Sequence, residues 1–179
     1  DVVGDTSGDE GTLARIVRIR ERETLLRRSA DDTDAVERVI VANADQLLIV
    51  VAAANPEPRP RLVDRYLVAA YDAGIAPLMV ITKTDLADPE PFLALFDGLG
   101  IPVFRSAEGD FPIDELAPVL AGHRTVAVGH SGVGKSTLVN ALVPGTDRAT
   151  GVVNAVTGRG RHTSSSTVSL HVPSGGWII

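Results

Sequence analysis

The feature that most restricts what this chain can fold into is "VGHSGVGKSTLVNAL" at residues 128 to 142, which carries the spacing Gly129-x-x-x-x-Gly134-Lys135-Ser136. An apolar strand, "RTVAVG", leads into it and "STLVNAL" leads out as a helix, the setting in which this spacing forms a phosphate-binding loop. Gly132 and Gly134 let the backbone turn so that successive N–H groups face an anion, and the helix beginning near Lys135 adds the positive end of its dipole. The phosphate-binding set is Gly129, His130, Ser131, Gly132, Val133, Gly134, Lys135, Ser136 and Thr137. Lys135 is expected to reach the β- and γ-phosphates of a nucleotide. The Ser136 hydroxyl is a hard oxygen suited to Mg2+, which keeps several waters and binds together with phosphates. A glycine-rich turn with a purely structural role would leave the adjacent Lys-Ser unexplained.

The sequence upstream supplies the sheet that such a loop needs. "QLLIVVAAA" reads as a continuous apolar strand, "RLVDRYLVAAYDAG" as an amphipathic helix ending at Gly74, and "APLMVIT" as a second buried strand. A helix near 89 to 98, the strand "IPVFRS", a helix near 113 to 121 and the strand "RTVAVG" follow. This alternation predicts an α/β fold with a mostly parallel sheet covered by helices on both faces. "NPEPRP" at 55 to 60 is a proline-stiffened connector, and "GGWII" reads as a strand. Residues 1 to 41 differ: "TLARIVRIR" and "ETLLRRS" read as the two arms of a β-hairpin across a short charged turn. Between Leu13 and Ser29 there are six arginines against two glutamates, which suits either a solvated strand face or an RNA-contacting edge of a small barrel.

Composition narrows the field. A net charge of -6 removes the electrostatic signature of a general nucleic-acid binder, so any RNA contact must be local. The chain has no cysteine, hence no disulfide and no thiolate metal site, which fits a reducing compartment. "LLIVVAAA" is too short to span a membrane and no signal segment leads the sequence, so a soluble cytoplasmic protein is expected. Met79 is the only methionine, and the chain reads as a piece of a longer one.

Of 17 basic residues only Lys83 and Lys135 are lysine. Lys83 lies in "TKTD", 82 to 85, at the carboxyl end of a buried strand, where ligands bind in open α/β sheets. Ionised Asp85 is acceptor-only, and guanine presents two donors, N1–H and the exocyclic amine, where adenine has an unprotonated N1. An unpaired buried acceptor costs about 1–3 kcal/mol, so the arrangement selects guanine. The Lys83 stem is expected to lie along the base, and "RSA" offers Ser106 and the Ala107 N–H, the latter aimed at the guanine O6. An ATP-using P-loop kinase with a coincidental "TKTD" is the competing reading.

The motifs run "TKTD", "SA", "GHSGVGKS", "GRGRHTSSS", the cyclic order of a GTPase opened at a new place. With "ANADQLLIV", "LVDRYLVAA" and "GGWII", this order resembles the circularly permuted GTPases of bacterial small-ribosomal-subunit assembly, the RsgA (YjeQ) family. The resemblance implies residues 1–41 as the last strands of an OB-type barrel and 42–179 as an incomplete permuted GTPase domain. An Asp-x-x-Gly motif would follow Ile179 directly, and a Zn2+-binding domain would follow that. It also implies GTP and GDP as ligands, the small ribosomal subunit and its rRNA as partner, Mg2+ as cofactor, no membrane, and a monomer. The loop 144–166 becomes switch I, with Thr163, or Ser164 beside it, as the second Mg2+ contact and His162 as the catalytic residue positioning the attacking water. Thr82 stands where the family's guanine motif usually has asparagine, so a weaker tie between the guanine loop and the phosphate loop is expected. A guanine-nucleotide-dependent RNA-binding module with incidental turnover remains the alternative function.

Overall fold

The computed structural model describes residues 2–4, 14–19, 21–28, 38–146 and 168–179. Switch I from residue 147 onward, with His162 and Thr163, lies outside the described residues.

The centre is a six-stranded sheet built from β5 (Gln46–Ala52), β6 (Ala76–Thr82), β7 (Val103–Arg105), β8 (Arg124–Val128), β9 (Leu170–His171) and β10 (Trp177–Ile178). Its order is β7-β6-β5-β8-β10-β9, parallel throughout except for β9, which runs antiparallel to β10. Every residue of β5 is buried, as a strand covered on both faces requires. Alternate side chains then divide the core. Leu47, Ile49 and Val51 pack on one face with Val63, Leu67 and Ala70 of α1 (Pro60–Asp72) and with Phe92, Leu93 and Phe96. Leu48, Val50 and Ala52 pack on the other with Leu116 and Leu120 of α3 (Ile113–Leu120) and Leu138, Val139 and Leu142 of α4 (Lys135–Leu142). The remaining helix, α2, is only Glu90–Leu93 and continues as a 3-10 turn over Ala94–Phe96.

Helix boundaries follow from local chemistry. Pro60 opens α1, where its missing N–H has no partner to lose. Gly74 at φ 67 closes it in the left-handed conformation that a Cβ disfavours. The buried polar pair Gln46 and Thr125 is satisfied internally: the Thr125 hydroxyl donates to Gln46 Oε1 at 2.9 Å and Gln46 Nε2 donates to the Val119 carbonyl at 3.0 Å.

The N-terminal strands pair differently from the sequence expectation. Among the described residues, "TLARIVRIR" and "ETLLRRS" do not pair with each other. β2 (Ala14–Ile16) pairs antiparallel with β1 (Val2–Gly4), and β3 (Leu25–Arg28) pairs antiparallel with β4 (Arg38–Ala42). The physical reason is turn chemistry: "RERE" offers none of the glycine, asparagine or aspartate that a tight hairpin turn favours, whereas the segments joining β1 to β2 and β3 to β4 do. Leu26, 4% exposed, anchors β3 in the α1-side core. Asn43 N–H donates to the Thr24 carbonyl at 2.9 Å, and Arg124 meets Glu23 at 3.5 Å across the junction with the large sheet. That exposed ion pair contributes at most about 1 kcal/mol, so the apolar anchor dominates.

Leu120 is fully buried between α3 and the sheet. Leu120→Ala is expected to cost about 2–5 kcal/mol through lost transfer energy and an uncollapsed cavity, read as a lower denaturation midpoint at unchanged m-value.

Candidate nucleotide-binding site

The strand order reverses at β5 and β8: β6 and β7 extend the sheet to one side of β5, and β8 then falls on the other. In open α/β sheets the crevice beyond the carboxyl ends of such strands is where ligands bind. Four loops converge on this edge: "NPEPRP" after β5, "TKTD" after β6, "RSA" after β7 and the phosphate loop after β8. Gly129 shows how tightly they meet. A Cβ there would lie 2.2 Å from the Val50 carbonyl oxygen on β5, and its φ of 153 is one that L side chains rarely adopt. Gly134, at φ 93, provides the left-handed step into α4.

The conformation of the loop is fixed through its carbonyls. Lys135 Nζ donates to the carbonyls of Gly129 at 2.7 Å and His130 at 2.8 Å. His130 Nδ1 lies 2.8 Å from the Ser131 carbonyl oxygen. Lys83 Nζ donates to the Gly132 carbonyl at 3.0 Å, and the Thr82 hydroxyl donates to the Val133 carbonyl at 2.7 Å. Five consecutive carbonyls are thus held by four side chains. In a planar trans peptide the C=O of one residue and the N–H of the next point in opposite directions. Holding carbonyls 129 to 133 therefore turns the N–H groups of residues 130 to 134 away from those donors, the arrangement of an anion-binding nest.

The guanine-motif residues are among those donors. Thr82 is buried, and its hydroxyl also lies 3.2 Å from the Val51 carbonyl; having one proton, it serves the nearer Val133 oxygen. A tie between guanine loop and phosphate loop therefore exists with threonine in place of asparagine. Lys83, at φ 58, also donates to the Asn55 carbonyl and so links three loops. Asn55, itself at φ 47, is a site residue that sequence reasoning missed. Its position just beyond β5, at the switch point, was the available signal.

Asp85 is exposed, with Oδ1 accepting from the Glu108 N–H at 3.1 Å, so its carboxylate is oriented by the neighbouring loop. The third element runs into a turn. The Ala107 N–H, assigned to a guanine O6, is donated instead to the Asp110 carbonyl at 3.0 Å, and Ser106 is buried with its hydroxyl 3.2 Å from the same oxygen. In this structure both residues brace the turn over 107–110. Ser136 and Thr137 lie on the first turn of α4, half-buried and exposed respectively. Among the described residues no group of three or more His, Cys, Asp or Glu could hold a metal ion. A lone hydroxyl beside a phosphate site is the donor set that fits Mg2+ arriving with phosphates, not a caged metal.

Burial lowers the pKa of the Lys135 ammonium below the ordinary lysine value, and lowers that of Lys83, where Asp85 opposes the shift. Both cations are held partly out of water against carbonyl oxygens.

A doubly covered parallel sheet, a phosphate loop at its switch point and a Lys-x-Asp loop two strands away define a P-loop nucleotide-binding fold of the circularly permuted GTPase type. The chain belongs to the RsgA GTPase family, whose model matches residues 19–179. It is 40% identical over 97% of its length to a small ribosomal subunit biogenesis GTPase RsgA of Pseudomonas aeruginosa (strain LESB58), covering 52% of that protein. It is 39% identical, over 97% of its length and 51% of the relative, to one of Azotobacter vinelandii. Among solved structures it resembles YjeQ from Thermotoga maritima, with a TM-score of 0.65 and 28% identity over 92% of this chain and 53% of that one. It also resembles YloQ, a circularly permuted GTPase, with a TM-score of 0.61 and 26% identity over 99% of this chain and 53% of that one. The chain spans about half the length of the relatives it matches.

Two outcomes follow from the site. Thr82→Val keeps the shape but leaves the Val133 carbonyl without its donor. Stability is expected to fall by about 1–3 kcal/mol, with weaker GDP binding, measured by denaturation and calorimetry.

Lys135 has a lower pKa folded than unfolded, so between those two values the unfolded chain binds a proton that the folded chain does not. Stability then rises with pH across that window. The unfolding free energy of wild type relative to Lys135→Met is expected to be flat below the window and to rise through it. Denaturant titrations at stepped alkaline pH check this, and a difference that falls with pH would contradict it.

Proposed function

We propose that this chain binds guanine nucleotides and supplies the nucleotide-handling part of a GTPase acting in maturation of the small ribosomal subunit. The observation that carries the reading is the physical union of the two motifs: Thr82 and Lys83 of "TKTD" hold the Val133 and Gly132 carbonyls of the phosphate loop. A coincidental Lys-x-Asp in an ATP-using kinase would have no reason to brace the phosphate loop. The names of the relatives, small ribosomal subunit biogenesis GTPases, supply the biological setting. That setting carries with it the cytoplasm as location and the small subunit and its rRNA as partner. Among the described residues no helix is long and apolar enough to cross a membrane. The antiparallel pairs β1–β2 and β3–β4 support residues 1–41 as strands of an OB-type barrel.

In this reading the chain contributes positioning and electrostatics, as phosphoryl transfer requires. The nest N–H groups hold the β-phosphate region, Lys135 swings from the Gly129 and His130 carbonyls to the outer phosphates, and Asp85 accepts from the guanine N1–H and amine. Mg2+, which neutralises developing phosphate charge when bound, would be held here by the Ser136 hydroxyl. His162 and Thr163 keep their proposed roles as water-positioning and second Mg2+ residues.

Asp85→Asn tests the reading. The amide keeps one acceptor but presents a donor toward the guanine amine, a mismatch there and a match to the 2-oxo group of xanthine. GDP affinity is expected to fall roughly ten- to hundredfold and XDP affinity to rise, as a mismatched hydrogen-bond pair of about 1–3 kcal/mol dictates. Calorimetry with GDP, XDP and ADP on both proteins reads this; undiminished GDP preference in the variant would remove "TKTD" as the guanine reader. Turnover measured with and without small subunits separates a ribosome-stimulated GTPase from an RNA-binding module with incidental hydrolysis.

A further inference from the structure

We propose that the His130 side chain is a positioning residue of the phosphate loop: its Nδ1–H, donated to the Ser131 carbonyl, sets the Ser131–Gly132 peptide plane and aims the Gly132 N–H at the bound phosphate. The inference rests on the reading of this loop as phosphate-binding and names a role within it that the Gly-x-x-x-x-Gly-Lys-Ser spacing does not specify.

Of the five carbonyls held in this loop, those of Gly129, His130, Gly132 and Val133 are taken by residues that the nucleotide motifs already demand: Lys135, Lys83 and Thr82. The Ser131 carbonyl is the exception. It lies 2.8 Å from the Nδ1 of His130, a half-buried side chain at a position the spacing leaves open. The following residue makes this contact consequential. Gly132 sits at φ 80 and has no Cβ, so nothing in its own covalent structure stops the 131–132 peptide from flipping. A flip would point its carbonyl into the nest and its N–H outward. The imidazole supplies the constraint that glycine lacks. The acceptor is a carbonyl, so Nδ1 must carry the proton. The neutral ring is therefore the Nδ1–H tautomer, with the Nε2 lone pair left as acceptor.

Three proteins and two measurements test this. Asparagine places an amide donor on the atom that corresponds to ring Nδ1, while leucine keeps apolar bulk without a donor. By calorimetry His130→Leu is expected to bind GDP about tenfold more weakly, the loss for one misaligned donor to a charged phosphate, and His130→Asn to restore most of it. The GDP-to-ADP ratio stays that of wild type in both, because Asp85 is untouched. By 15N NMR on the unmutated protein the neutral His130 ring shows the Nδ1–H tautomer, and the Gly132 amide resonance moves in His130→Leu but much less in His130→Asn. Wild-type GDP affinity in a folded His130→Leu would overturn the inference, as would an Nε2–H ring or failure of asparagine to restore binding. The tautomer measurement stands even where a variant does not fold. Absence of GDP binding by wild type would instead overturn the phosphate-loop reading on which this one rests.

Discussion

A planar trans peptide can turn its N–H toward an anion only if its carbonyl turns the other way, and a carbonyl turned into protein must find a donor. From Gly129 to Val133 this demand recurs at every residue, and it is met by Lys135, His130, Lys83 and Thr82. The loop is therefore shaped through its carbonyls. Glycines at 129, 132 and 134 make the loop shape accessible, and donors on two separate chain segments, 82–83 and 130–135, make it the one adopted.

Those donors reach the loop because of where the sheet puts them. β5 lies between β6 and β8, buried on both faces, and carries "TKTD" and the phosphate loop to the same edge by way of its two neighbours. The Val50 carbonyl of β5 leaves no room for a side chain at residue 129, and the Val51 carbonyl lies within reach of Thr82. The "TKTD" loop and the glycine-rich loop thus share a mechanical frame. A change at Thr82 or Lys83 reaches the phosphate loop through one hydrogen bond.

The frame has a stability cost. Lys83 and Lys135 are drawn partly out of water with only carbonyl dipoles as hydrogen-bond partners, and both pKa values fall as a result. Elsewhere charges are treated differently: the Arg105–Glu90 and Arg124–Glu23 pairs are exposed and contribute little. The two lysines of an otherwise arginine-based chain are the two cations the site holds against dipoles. A compact ammonium on a flexible stem can satisfy two carbonyls on different loops or turns, which a rigid guanidinium fork does less well.

The sequence by itself determined the α/β class, the phosphate-loop spacing, the permuted order of motifs and the core helices. Each of these is written in short-range patterns: an unbroken apolar run in β5, buried positions Val63, Leu67 and Ala70 at helical spacing in α1, glycine at fixed intervals before Lys135. Only the tertiary structure decided who holds which carbonyl. That the Asn55 carbonyl meets Lys83, and that Thr82 keeps the tie expected of an asparagine, depend on strands meeting across dozens of residues. The N-terminal pairing was likewise undecided by strand propensity, since "TLARIVRIR" and "ETLLRRS" are each plausible strands and the choice of partner lay in turn chemistry and in Leu26 finding the core. The reason is the same throughout: propensity and spacing act within a segment, whereas hydrogen-bond partnership is a property of distance, and distance between segments is set by the sheet.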